Sequence, residues 1–264
     1  MRLSTDKMLA EIEDGIGWVT FNNPAKRNAI SLEMWEALGV IINEYQHSED
    51  VRVVVLKGAG DKAFVSGADI SEFEEKRSSS AAKGEYDQKA ANAQAVLYEF
   101  EKPLIAMIQG YCMGGGMAIA LNADVRIATH DSTFGIPAAR LGLGYAFEGV
   151  KSLFDVVGPS YAKDILFSAR TLDAEEALRI GLINRIVSRD ELKTTVRDYV
   201  NMVASNAPLT IKAAKAAVKE LLRNPRDRDL GKVRKMVNAC FDSKDYAEGR
   251  RAFMEKRKPV FTGK

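Results

Sequence analysis

The sequence predicts an α/β fold, and three observations carry that reading. β-branched runs alternate with amphipathic stretches through the first half, two glycine turns each follow a strand-like run, and beyond about residue 150 the pattern becomes helical. With 264 residues, 46% hydrophobic and 28% charged, the composition is that of an ordinary globular chain with enough length for one large domain and a small appendage.

Taken in order, residues 9–13 and 16–21 are short β-rich runs around Asp14-Gly15, a dipeptide that favours a hairpin turn. Asn22-Asn23-Pro24 turns the chain. Ser31 stands where an N-cap belongs, ahead of an amphipathic helix reaching about Gln46. Residues 51–57, VRVVVLK, form a run of the kind buried in a sheet, ended by Gly58-Ala59-Gly60-Asp61. After Ala63-Phe64-Val65 the chain turns at Ser66-Gly67. The polar residues 74–86 predict a mobile surface segment, at the place of a lid, before the next helix. Residues 103–108 predict a buried strand, 110–116 a glycine turn, 117–122 a short helix and 125–128 another strand. This recurrence predicts right-handed ββα units stacked as a spiral or layered sheet.

The second half predicts helices over residues 161–168, 173–180, 190–205, 209–223, 233–241 and 246–256, with one strand at 183–187. Ser188 with Glu191 and Asp173 with Glu176 have capping-box spacing, and Gly181 sits where a C′ glycine belongs. Lys212, Lys215 and Lys219 share a helix face and are expected to be solvent-exposed. The division drawn from this pattern is a core over 1–195 and a helical C-terminal region over 196–264.

Several function classes are disfavoured. Cys112 and Cys240 match no metal or redox spacing and are expected as buried, reduced thiols. His47 and His130 are expected at the surface, so metal chemistry lacks ligands. A net charge of +2 does not imply nucleic acid. The absence of a long apolar run and of a signal-like start leads to the expectation of a cytoplasmic protein without membrane partners.

Two turns carry the chemistry: residues 66–70, SGADI, and 110–116, GYCMGGG. Amides at a helix start, aided by the macrodipole, favour developing negative charge, and glycine admits a substrate oxygen where a Cβ would obstruct it. The second turn fits neither a dinucleotide fingerprint nor a P-loop. The alternative reading of either turn alone is a tight connection.

The segments NNPAKRNAI, AFVSGADI, KPLIAMIQGYCMGGG and AFMEKRKP resemble the crotonase (enoyl-CoA hydratase/isomerase) superfamily along nearly the whole chain. The resemblance implies a crotonase-type spiral with a C-terminal trimerisation region, and a homotrimer or homohexamer. It implies an oxyanion hole formed by the amides of Ala68 and Gly115 around a thioester enolate. It places Lys26, Arg27, Ala29, Ala68, Asp69, Ile70, Phe253 and Lys256 against coenzyme A, which enters as part of the acyl-CoA substrate; no prosthetic group is expected. Asp69 is read as a residue that bonds the turn rather than a base.

One departure stands out. The hydratases of the superfamily carry two glutamates where this chain has Ala118 and Ala138, and alanine can neither activate water nor protonate an α-carbon. Glu148 and Tyr145 are the candidate replacements; their alternatives are a dipole-serving carboxylate and ordinary loop packing. LGLGY and the tail DSKDYAEGRRAFMEKRKP also resemble the methylmalonyl-CoA decarboxylases, which have a tyrosine at the place of Tyr145. Decarboxylation needs the oxyanion hole and no base on the α-carbon, although those enzymes have histidine where this chain has Ala68. A further alternative is a CoA- or RNA-binding relative without catalysis, supported by the two alanines and the Lys212–Lys215–Lys219 face.

Overall fold

The computed structural model describes residues 3–69 and 80–264. In chain order the first elements are β1 (Met8–Glu13), β2 (Ile16–Phe21), α1 (Leu32–His47), β3 (Val53–Gly58), β4 (Ala63–Val65) and α2 (Ser80–Glu99). Next come β5 (Leu104–Ile108), β6 (Tyr111–Met113), α3 (Gly115–Asn122), β7 (Val125–Thr129), β8 (Thr133–Gly135) and α4 (Phe147–Ser168). The remainder is β9 (Leu172–Asp173), α5 (Ala174–Arg179), β10 (Arg185–Val187), α6 (Arg189–Ala204), α7 (Pro208–Leu221), α8 (Leu230–Phe241) and α9 (Lys244–Met254).

The strands form two sheets, ordered β1-β2-β3-β5-β7-β10 and β4-β6-β8-β9. β1 and β2 pair antiparallel across Asp14 (φ 53°) and Gly15 (φ 80°), the two positive-φ residues of a type I′ turn. From β2 to β10 the larger sheet is parallel, which requires a crossover between each pair of neighbours. Alternation along its strands divides the core. Ile16, Trp18, Val53, Val55, Ile105 and Ile127 face Leu192, Val196 and Val200 of α6. Val19, Phe21, Val54, Leu56, Leu104, Ala106 and Ile108 face the other way, into the cluster shared with α1, α2 and the smaller sheet. α1 presents Met34, Trp35, Leu38, Ile41, Ile42 and Tyr45 to that cluster, and the Ser31 hydroxyl accepts from the Met34 amide at its start. A division at 195/196 falls inside α6, with Leu192 and Val196 on either side packed on the same sheet face.

Several expectations are corrected. The polar stretch expected to be mobile is helical from Ser80, with Tyr86 buried against Trp35; residues 74–79 lie outside those described. α4 begins at Phe147 rather than 161, broken at Gly158 (φ 73°) before Pro159. β8 and β9 are too short to register as periodicity. The lysine face of α7 is not free: Lys212 pairs with Glu101 at 2.5 Å, Lys219 with Glu99 at 2.6 Å, and Lys215 donates to Asp124 Oδ2 (2.7 Å) and the Lys102 carbonyl (2.9 Å). Burial pushes the Lys215 ammonium below its usual range. Carboxylates distant in sequence hold this face, which sequence periodicity cannot register. Cys112 is buried and Cys240 half-buried, both free, and His47 and His130 are exposed.

Candidate active site

The turn after β4 is fastened to the segment preceding α1. Ser66 N–H donates to the Arg27 carbonyl (3.2 Å), Ile30 N–H to Gly67 O (2.8 Å) and Asp69 N–H to Ile30 O (3.0 Å). In this parallel bridge Ile30 uses both of its backbone groups, so the N–H of Ala68 faces away from it. Gly67 has φ +121°, a conformation that L side chains rarely adopt. Asn28 holds the neighbouring loop: its Oδ1 accepts from Asn23 N–H, and its Nδ2 donates to the carbonyls of Ala59 and Ala63. Sequence reasoning missed Asn28, whose signal is a buried asparagine with positive φ among turn residues.

The second turn meets the first. Gly114 (φ 49°, ψ −109°) is the N-cap of α3 and donates to the Gly135 carbonyl at 2.9 Å. A Cβ on Gly115 would lie 3.8 Å from the Ala68 nitrogen, and one on Gly114 would lie 3.8 Å from Gly67 Cα. One on Gly116 would lie 2.1 Å from the Val65 carbonyl oxygen, so only glycine lets α3 start this close to β4. Gly115 occupies the first helical position, where an amide has no acceptor within its helix. Ile30 Cγ2 and Trp35 Cζ2 lie 3.2 and 3.7 Å from that Cβ position, and the Trp35 indole donates to Tyr86 Oη at 3.1 Å.

The other candidates fall into two groups. Lys26 Nζ lies 2.8 Å from the buried Asp69 carboxylate, Arg27 stacks 5.1 Å above the exposed Tyr111 ring, and Ala29 is buried beside them. Ile70 lies outside the described residues. Ala118 sits in the first turn of α3 and Ala138 in the 3-10 turn Pro137–Leu141. Tyr145 packs half-buried against the main core with its ring beside Gly149, and burial pushes its phenol above the usual value. Glu148 is exposed in the first turn of α4. Phe253 and Lys256 lie at the end of α9, exposed; among the described residues no hydrogen bond, ion pair or ring contact joins them to the two turns. Arg257 beside them pairs with Glu248 and Glu255.

The enoyl-CoA hydratase/isomerase family model matches residues 11–264, thus both turns and every helix that follows them. The chain belongs to the enoyl-CoA hydratase/isomerase family. It is 35% identical over 257 residues to the short-chain-enoyl-CoA hydratase of Clostridium acetobutylicum, covering 97% of each chain. It is 32% identical over 262 residues to the crotonyl-CoA hydratase of Syntrophomonas wolfei, covering 99% of this chain and 100% of that one. The crystal structure of an enoyl-CoA hydratase/carnithine racemase from Magnetospirillum magneticum superposes with a TM-score of 0.92 at 34% identity, covering 99% of this chain and 97% of that one. The fold is the crotonase fold, and the protein is an enzyme of this family, whose members act on CoA thioesters. No helix among the described residues is long and apolar enough to cross a membrane, and none of their His, Cys, Asp and Glu side chains gather as a metal site.

Proposed function

We propose that the protein binds an acyl-CoA with its thioester oxygen between the amides of Ala68 and Gly115, and that these donors stabilise an enolate formed at the α-carbon. The observation that carries this reading is the convergence of the two turns, with the Ala68 nitrogen 3.8 Å from the Cβ position of Gly115. Two fixed donors avoid reorganising solvent around the oxyanion, and one alone is worth about 3 kcal/mol. Lys26, Arg27, Ala29 and Asp69 border the cofactor moiety. Phe253 and Lys256, exposed at the end of α9, close over it from a neighbouring copy in a trimer or a hexamer.

Ala118 and Ala138 supply no carboxylate, so hydration by a glutamate pair is not the reaction. Proton transfer or substrate polarisation falls to Tyr145 or Glu148. The half-buried, protonated Tyr145 favours a second reading in which the enolate arises by loss of carbon dioxide from a malonyl-type thioester, with the phenol donating to the departing carboxylate or to the enolate. A non-catalytic RNA-binding reading loses its basic face, since Lys212, Lys215 and Lys219 are held by Glu101, Asp124 and Glu99.

The test is turnover of enoyl-, 3-hydroxyacyl-, β-keto- and malonyl-CoA by the wild type and by Gly115→Pro. Proline is tolerated at a first helical position and removes the donor. Loss of turnover in the folded variant supports the reading, and unchanged turnover refutes it.

A further inference from the structure

Arg126 is a charged side chain in the core, 6% exposed, and among the described residues its guanidinium bonds to carbonyls and to no carboxylate. Its Nη1 donates to the carbonyls of Ala120 (3.3 Å) and Ala123 (2.5 Å), at the C-terminal end of α3. Its Nε donates to Leu182 O at 2.7 Å, and its backbone exchanges bonds with Asn184. Asp124, whose charge acts on Arg126, is committed elsewhere, to the Leu104 amide (2.7 Å) and to Lys215 Nζ (2.7 Å). The thiol of Cys112, on the strand leading into the Gly114–Gly115 turn, also acts on Arg126, and burial pushes that thiol above its usual range.

A buried cation costs free energy that three carbonyls repay only in part. Here those carbonyls include the negative end of the helix whose positive end carries the Gly115 amide. We propose that Arg126 is a positioning residue for catalysis: it ties down the C-terminal end of α3 and leaves a fixed positive charge beneath the helix, so that the Gly115 amide is held toward, and biased for, a thioester oxyanion. The inference rests on the oxyanion reading given above. An eight-residue helix spans about 12 Å, and a unit charge at that distance with an effective dielectric of about 20 corresponds to about a tenfold bias toward an anion.

The experiment reads the field at the site directly. The infrared carbonyl band of butyryl-CoA labelled with 13C at the thioester carbon is recorded free and bound, for wild type, R126K and R126Q, with folding checked by circular dichroism. The wild type shifts the band to lower frequency; R126K retains most of that shift, R126Q loses a large part of it, and R126Q turns over the best substrate of the panel about tenfold more slowly at unchanged KM. A wild-type shift that R126Q reproduces in full overturns the role of Arg126 and leaves the oxyanion reading standing. A wild-type band without a shift overturns the oxyanion reading itself, and the inference with it. If R126Q does not fold, R126M, a neutral side chain of similar reach, decides in its place: loss of a large part of the shift in the folded variant supports the role of the charge, and full retention overturns it.

Discussion

Lys26 Nζ lies 2.8 Å from Asp69 Oδ2, joining a half-exposed ammonium to a buried carboxylate at the residue after Ala68. The pair clamps the two loops that frame the site and engages the Asp69 carboxylate. Lys26→Met should destabilise the fold by about 1 kcal/mol, with a smaller cost when Asp69→Asn is already present. A double-mutant cycle by urea unfolding measures the coupling, and strictly additive effects would show that the contact contributes nothing.

Adjacent glycines should separate stability from activity. A Cβ at Gly116 meets backbone 2.1 Å away, whereas one at Gly115 meets the flexible Ile30 Cγ2 at 3.2 Å and enters the space beside Ala68. Gly116→Ala should therefore lower the melting temperature sharply or prevent folding, by at least about 3 kcal/mol. Gly115→Ala should melt near the wild type and lose turnover. Equal melting of the two variants would contradict this geometry.

If the alanines at 118 and 138 are what bars hydration, glutamates there should restore it. The wild type should hydrate crotonyl-CoA slowly, and the Ala118→Glu/Ala138→Glu variant should gain about 10²-fold or more, the scale of general acid–base catalysis. Stopped-flow absorbance of the enoyl thioester measures it. Fast hydration by the wild type would mean that another residue already performs this task.

Tyr45 gives a stability prediction with a defined sign. Its hydroxyl donates toward the carbonyls of Glu11 (2.9 Å) and Trp18 (3.3 Å), and burial, helped by the Glu11 charge, pushes its phenol from 10.0 up to about 12. Below pH 10 both folded and unfolded chains keep the proton, so the contribution is whole; between 10 and 12 the unfolded chain ionises first, and stability falls as pH rises. Tyr45→Phe should cost about 1 kcal/mol near neutrality and show a shallower loss at high pH. Parallel unfolding curves for both proteins across that window would refute the assignment.

Much of this molecule was legible in its sequence because local chemistry and fold agree. The I′ turn at Asp14-Gly15, the Ser31 cap, the Ser188–Glu191 capping box and the buried strand ending at Gly58 all appear where their residues predict. The glycine turns could be recognised as a pair, but their approach to 3.8 Å depends on the parallel pairing of β4 with β6, which is a non-local fact. Non-local chemistry also hid the fate of the α7 lysines, whose partners Glu99, Glu101 and Asp124 lie about a hundred residues earlier. Arg126 was invisible for the same reason, since nothing in a strand sequence marks an arginine that will bond carbonyls inside the core.

The most direct test of the account is a crystal structure of the protein with butyryl-CoA, a saturated thioester without an enoyl bond to hydrate. The thioester oxygen is expected about 2.7–3.1 Å from both the Ala68 and Gly115 nitrogens, with the α-carbon turned toward Ala118, Ala138 and Tyr145. A thioester oxygen bonded elsewhere, with either amide turned away from it, would contradict it.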